Sequence, residues 1–409
     1  MKISFLSFSH RYDDTRILHK MARSLANEGF DVSHIAPEVE EEKNSSHWVQ
    51  NGVNIEIYPV NGTGLLGRFK RFRNLYRKAI QVDADCYQCN EIESWVVGLL
   101  IKMVKRNKKV IFDVHEHYPS RFDEPHIKRW VGVIGKPILF IMFKLLPCWT
   151  DHLIFAKRSI APDFSGNTQK QSFIFNYSPL WLSGRDREEV DSSIRSQFEG
   201  KVVALHIGGF SRTRGWPQML DALALMQNKE LVILCFGKVD EGEGAFLGKA
   251  REVGVEHRVH LRSPIPYEQV FDYLLCADIG LMLYQPGIQN HIFAFPMKMY
   301  DYMLARLPFV GPNFSIEVIP VVEEETCGLL VNTGSAEEIA TALDWLCDNL
   351  DEAKEMGCRG RRAAITKYNW ESEAEKFIQI YKGFAGSNKI NIYRCFTTVY
   401  EAVQIWKLT

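Results

Sequence analysis

No uncharged apolar run in this 409-residue chain reaches the ~18–20 residues that span a bilayer. The nearest, Trp130 to Trp149, is interrupted by Lys136, Pro137, Lys144 and Pro147, and reads as a core or interfacial helix. Neither sign of charge is in excess. Lys and Arg number 49 against 50 Asp and Glu, so the formal net charge is −1. That excludes a globally basic nucleic-acid binder and leaves room for a local basic patch. No secretory leader pattern opens the chain, and Ile3–Phe8 is too short for one and reads as a first strand. Nine cysteines, an odd number, point to a reducing compartment. At 46% hydrophobic, 24% charged and 12% aromatic, the composition excludes a disordered, collagen-like or disulfide-stapled chain.

What is present is an element pattern that occurs twice. Ile3–Phe8 reads as a strand, and Ile17, Leu18, Met21, Ala22 and Leu25 follow at helical spacing, with Gly29 as a stop. Phe30–Ile35, Val53–Tyr58, Cys86–Cys89 and Val110–Val114 read as strands, with helices over 65–80 and 94–104. Asn176, Pro179, Gly184 and the charged run 185–191 read as a linker. The pattern then restarts with strands at Val202–Ile207, Leu231–Phe236, Val259–Leu261 and Ile279–Leu283, and Ser335 with Glu338 caps a further helix. Such alternation predicts an α/β fold with two Rossmann-like, doubly wound domains facing across a cleft. In the tail, Phe396, Val399, Tyr400 and Val403 recur at helical spacing.

Three segments carry the chemistry. Gly208-Gly209-Phe-Ser-Arg212-Thr-Arg214-Gly215 lies between a strand and a helix. Its glycines permit close backbone approach, its helix offers unpaired N–H groups, and its arginines add charged donors, which suits a diphosphate. In Phe295-Pro296-Met297-Lys298-Met-Tyr-Asp301, a cation in the first helical turn is electrostatically disfavoured unless an anion shares the site. Asp301 lies on nearly the same face and could accept hydroxyls. Asp113-Val-His115-Glu116-His117-Tyr-Pro119 ends a strand, where a catalytic group belongs in a doubly wound domain.

Other matches read as structural. Gly62-Thr-Gly64-Leu-Leu-Gly67 fits the dinucleotide fingerprint, but Asp83 and Asp85 precede the next strand instead of ending it. Asp83-Ala-Asp85 also has a metal-binding spacing, in a turn where acids are common. Cys86 and Cys89 lack the second pair a structural zinc needs. Residues 68–78 carry Arg68, Lys70, Arg71, Arg73, Arg77 and Lys78 without one acid, interleaved with apolar residues. They form either a solvated helix face or a surface for anionic lipid.

The ordered set resembles the family-4 retaining glycosyltransferases of the GT-B fold over most of residues 1–385. Asp14-Thr-Arg16, the Asp113–Pro119 segment, Arg214-Gly215, Ala277-Asp-Ile-Gly-Leu281 and Pro296-x-Lys298-x-x-Asp301-Tyr-Met carry the resemblance. It implies an acceptor-binding domain over 1–180, a nucleotide-sugar domain over 181–370, and C-terminal helices 371–409 packing back on the first. It implies a nucleoside-diphosphate sugar donor held by Gly208, Gly209, Arg212, Arg214, Pro296, Met297, Lys298 and Asp301. His115, Arg214 and Lys298 would be catalytic, with Asp14, Arg16, Glu116 and His117 on the acceptor side. No cofactor or metal is expected. The acceptor would be a glycan or lipid-linked molecule, and the protein cytoplasmic and peripheral on the inner face of the membrane. Three positions depart from the family: Gly209 replaces its usual Arg, Phe293 stands where its first Glu falls, and Asp301 stands where its second Glu falls. A dinucleotide-dependent oxidoreductase and a non-catalytic glycan- or membrane-binding protein are the alternatives.

Overall fold

The computed structural model describes residues 1–39, 46–123, 127–164, 170–184 and 192–386. The charged run 185–191 and the tail after Gly386, including the pattern Phe396–Val403, lie outside the described residues. The chain divides into two compact units. The first comprises Met1–His115, Pro137–Ile174 and the chain from Ala374 onward; the second comprises Glu116–Lys136 and Phe175–Glu373.

The first unit is built on an eight-stranded sheet. Its strands are β1 (Lys2–Leu6), β2 (Asp31–Pro37), β3 (His47–Gln50), β4 (Val53–Tyr58), β5 (Cys86–Cys89), β6 (Lys109–Val114), β7 (His152–Phe155) and β8 (Gln171–Phe173), in the order β3-β4-β2-β1-β5-β6-β7-β8. All pairs are parallel except β3 with β4. The helices are α1 (Arg23–Asn27), α2 (Gly64–Val82), α3 (Ile92–Val104), α4 (Tyr118–Arg121) and α5 (Arg129–Leu145), the last two lying wholly or partly in the second unit. The first helical segment differs from the 3.6-residue reading. Thr15–Ala22 is a π-helix that continues into α1, and Asp14 caps it by accepting from Arg16 N at 2.9 Å and Ile17 N at 3.0 Å. Gly29 closes it with a positive φ of 83°.

The second unit is a six-stranded parallel sheet. Its strands are β9 (Val202–Ile207), β10 (Leu231–Phe236), β11 (Val259–Arg262), β12 (Ile279–Leu281), β13 (Phe309–Pro312) and β14 (Gly328–Val331), in the order β11-β10-β9-β12-β13-β14. Around it are α6 (Ser192–Ser196), α7 (Trp216–Leu225), α8 (Glu243–Glu252), α9 (Tyr267–Cys276), α10 (Gln289–Ile292), α11 (Met297–Leu304), α12 (Ile319–Glu325), α13 (Ala336–Asp348) and α14 (Leu350–Thr366). Their apolar sides bury two clusters, one centred on Leu205, Met299 and Phe309 and one on Ala204, Leu220 and Leu343. Ser335 caps α13 as its spacing predicts, accepting from Glu338 N at 3.2 Å. The last helix, α15 (Trp370–Gly386), crosses into the first unit, where the Tyr381 hydroxyl donates to Gln88 on β5.

Glu116–Lys136, expected with the first domain, groups with the second instead. Within that unit the His117 ring lies 4.5 Å from Phe293, and Phe122 fills the space left by Gly132 and Gly135 on α5.

Candidate functional site

In the second unit, β9 ends at Ile207 and the chain turns through Gly208 (φ 104°) into the 3-10 turn Arg212–Arg214 and then α7. Two cations converge over this glycine turn. A Cβ at Gly208 would lie 3.6 Å from Arg214 Nη1 and 3.9 Å from Lys298 Nζ, and one at Gly209 would lie 3.7 Å from Arg214 Nη1. Arg214 thus lies within van der Waals reach of both glycine positions. Lys298 arrives from the first turn of α11, whose N-cap, Pro296, offers no side-chain cap. That helix is fixed by its own sequence: Tyr302 packs flat against Gly280, where any Cβ would come within 2.5 Å of the ring. The Tyr302 hydroxyl donates to Leu281 O at 2.9 Å and Leu205 O at 3.2 Å.

Gly215 holds the turn. Its φ is 79°, and a Cβ there would lie 2.2 Å from Leu283 O and 2.6 Å from Gln285 Nε2. Gly215→Ala is therefore expected to destabilise the protein by about 1–3 kcal/mol through strain at a left-handed position, before relaxation of the clash is counted. A urea melt of the variant checks this; an unchanged midpoint would refute it.

Burial and neighbouring cations set the electrostatics of this turn. Burial, then repulsion from Arg214, pushes the Lys298 ammonium down from 10.5 to about 7, although Asp301 pulls it up. Lys298 also lies 5.8 Å from the centre of the Tyr284 ring. His206, buried at the end of β9, is held well below its ordinary value by burial and by the Lys298 and Arg214 charges. A bound diphosphate would favour the charged lysine and raise its pKa. Binding should thus take up protons between about pH 7 and 10.5, and affinity should fall as pH rises through that window. Calorimetric titrations at pH 8 in buffers of different ionisation enthalpy would measure the uptake. Zero uptake there would contradict this electrostatic account.

Two expected donor groups sit otherwise. Arg212 lies 5.4 Å over the Trp216 ring and 3.7 Å from Glu241, largely exposed, because residue i+4 of the next helix captures its guanidinium. Asp301 is buried, and its Oδ1 accepts the Ser178 hydroxyl at 2.5 Å and the Tyr267 hydroxyl at 3.2 Å. Those bonds anchor α11 and engage one of the two carboxylate oxygens of Asp301.

In the first unit, the ends of β1 and β6 bring His10 and His115 together. Their Nε2 atoms are 3.2 Å apart, with ring centres at 4.9 Å. One nitrogen must donate and the other accept. His10 Nδ1 lies 3.2 Å from Asp14 Oδ2, while His115 Nδ1 lies 3.2 Å from Asp113 O and 3.4 Å from Asp113 Oδ2. The pair is thus a proton-sharing unit between two carboxylates. Burial would raise the Asp14 carboxyl, but the bond and charge of His10 outweigh it and hold the group well below its usual range. The turn before His10 is gathered by Glu91, which accepts from the backbone N–H groups of Phe8, Ser9 and His10, each at 2.9 Å.

Arg16, expected on the acceptor side, is buried in a two-pronged ion pair with Asp113 (2.8 Å for each bond) and donates to Ile174 O at 3.0 Å. It orients Asp113 and has no surface to offer a ligand. Glu116 pairs with Arg121 at 3.0 Å, and His117 bonds Ser120. His10 and His206 carried no sequence signal: one stands in a polar loop, the other in an apolar strand. Among the described residues no three His, Cys, Asp or Glu side chains group as metal ligands. Asp83 pairs with Lys105 and Lys108, and Asp85 accepts from Lys2 N, so both serve structure. Of the six cations on α2, Arg68 pairs with Glu93, Lys78 pairs with Glu56, and Arg71 stands over the Phe8 ring; Lys70, Arg73 and Arg77 are exposed.

His115 lies within the match to the family model "Glycosyltransferase Family 4", residues 15–165, and Arg214 and Lys298 lie within the match to "Glycosyl transferases group 1", residues 201–349. The chain belongs to the group 1, family 4 glycosyltransferases. Among curated relatives, the MMP alpha-(1->4)-mannosyltransferase of Mycolicibacterium hassiacum is 24% identical over 196 residues, 47% of this chain and 46% of that protein. The chain spans about half the length of the curated relatives it matches. The fold is shared with sucrose-phosphate synthase from Thermosynechococcus elongatus (TM-score 0.75, 16% identity, 94% of this chain and 100% of that one). It is also shared with Anabaena Alr3699/HepE in complex with UDP-glucose (TM-score 0.71, 16% identity, 94% and 100%).

Proposed function

We propose that the chain transfers a sugar from a nucleoside-diphosphate sugar to a glycan or lipid-linked acceptor, with retention of anomeric configuration and without a metal. The carrying observation is the convergence of Arg214 Nη1 and Lys298 Nζ over Gly208. As the glycosidic bond breaks, negative charge grows on the departing diphosphate. Two fixed cations and the N-termini of α7 and α11 stabilise it where it develops. An oxocarbenium-like sugar attacked on the same face, with the leaving phosphate taking the acceptor proton, requires no protein nucleophile. His115 and His10 serve the acceptor side by hydrogen-bonding a hydroxyl and orienting it. The UDP-glucose carried by the Anabaena neighbour supports a nucleotide-sugar donor of that class. A cytoplasmic role in making cell-surface polysaccharide or glycoconjugate fits such chemistry.

A thermal-shift screen with UDP, GDP, ADP and their sugars tests the donor class, because a ligand of the native state raises apparent stability. One nucleotide family should raise Tm by several degrees. No shift with any of them at millimolar concentration would count against the proposal.

A further inference from the structure

His206 is out of place in the core of the second unit. It stands on β9 two residues before Gly208 and is 1% exposed, and neither ring nitrogen has a hydrogen-bond partner among the described residues. A neutral imidazole carries one N–H donor and one acceptor, so both are buried unpaired, at a cost to stability. Its surroundings offer no other outlet. Side chains on a strand alternate between faces, so the ring shares the face of Ala204, which belongs to the apolar cluster of Phe210, Trp216 and Phe246. The Phe210 ring centre is 4.4 Å away. The register partner on β10 is Cys235, whose thiol burial pushes up and keeps neutral. A phenylalanine would fill such a space as well, so packing does not account for the two nitrogens.

The turn beside the ring has one residue that its neighbours leave unbonded. Gly208 N donates to Phe236 O and Phe210 N to Lys238 O, each at 2.9 Å. A Cβ at Gly237 would lie 1.9 Å from Gly208 O, so the chain is pinned on both sides of Gly209. The Gly209 N–H itself donates to nothing among the described residues. The Gly209 backbone favours the charged form of His206, as an acceptor facing the ring does, but its approach falls short of a hydrogen bond. Burial, Lys298 and Arg214 disfavour that charged form and keep the ring neutral, with a single N–H.

We propose that His206 is a positioning residue of the donor site. When a diphosphate lies over the turn, the imidazole N–H donates to the Gly209 carbonyl and holds that dipole away from the phosphate, while the Gly209 N–H donates to a phosphate oxygen. A carbonyl left free beside the anion would repel it, and an amide N–H fixed toward it attracts it. The role rests on the donor reading above: Arg214 and Lys298 supply the charge, and the imidazole sets the backbone beneath them.

His206→Phe tests this by keeping an aromatic ring and removing its nitrogens; His206→Leu serves the same comparison where the phenyl ring does not fit. Without nucleotide, the Tm of the variant should equal or exceed that of the wild type, since no buried donor is left unpaired. Its affinity for UDP, GDP or ADP, whichever the wild type binds, should fall about five- to tenfold, within the range of one hydrogen bond, while affinity for the matching nucleoside stays unchanged. In turnover, KM for the sugar nucleotide should rise and KM for the acceptor should not. His206→Gln, which restores an N–H donor, should recover most of the diphosphate affinity. A packing role alone would lower Tm and leave the ratio of diphosphate to nucleoside affinity at its wild-type value, and that result overturns the proposal. So does a His206→Gln variant that binds diphosphate no better than His206→Phe. Equal diphosphate affinities of wild type and His206→Phe remove His206 alone, whereas a wild type that binds no nucleoside diphosphate removes the donor reading and His206 with it.

Discussion

Arg214→Ala is expected to weaken nucleoside diphosphate binding by about 10- to 100-fold while leaving nucleoside affinity within about twofold. A hydrogen bond to a charged group contributes about 1.5–3 kcal/mol, and the guanidinium reaches both glycines of the turn. Arg212 is not a substitute, because Trp216 and Glu241 hold it on the outside of the turn. The variant has a second consequence. Removing Arg214 removes one of the causes that lower Lys298, so the lysine should carry its charge to higher pH. The pH window of proton uptake should move upward with it. Calorimetry of both proteins with diphosphate and with nucleoside measures all of this, and equal diphosphate affinities would remove Arg214 from the donor site.

His115→Ala is expected to lower kcat by about 10²- to 10⁴-fold with nucleotide affinity nearly unchanged, the range typical of a positioned acid–base or hydrogen-bonding group. The pairing of His115 with His10 makes a sharper claim. Because one imidazole donates to the other, His10→Ala should reproduce most of the loss, and the double variant should lose little more than either single one. Additive losses would show that the two histidines act separately. Wild-type kcat for His115→Ala at saturating donor and acceptor would remove the pair from the chemistry. Arg16→Ala is a useful contrast: leaving Asp113 buried without its partner should cost about 3–5 kcal/mol of stability before any effect on turnover is measured.

Periodicity made much of the fold legible. Val53–Tyr58 and Cys86–Cys89 are strands over the residues expected, the first with its apolar residues buried in alternation with Asn54 and Glu56 and the second buried throughout. β3 was not legible: His47–Gln50 is a short edge strand, and its pairing with β4 depends on the turn through Asn51 and Gly52, both with positive φ. The π-helix was hidden because its apolar spacing over Ile17–Ala22 is also what an α-helix would show. At the donor loop, the glycines and cations were readable because strand, turn and helix are local. The choice between Arg212 and Arg214 was readable in principle from Trp216 four residues beyond Arg212. Long-range pairs were not readable. His10 meets His115 across 105 residues, and Arg16 meets Asp113 across 97, because parallel strands bring distant loops to one sheet end. The apolar stripe of α5 was visible as composition, but only the fold shows which side is packed and which is bare.

The central claim is that the glycine turn after β9 and the first turn of α11 together hold a diphosphate. A crystal structure with the nucleoside diphosphate selected by the thermal-shift screen tests it most directly. The account predicts phosphate oxygens within about 2.7–3.2 Å of the Arg214 guanidinium and Lys298 Nζ, lying over Gly208 and Gly209. A nucleotide bound elsewhere, with neither Arg214 nor Lys298 touching a phosphate, would contradict it.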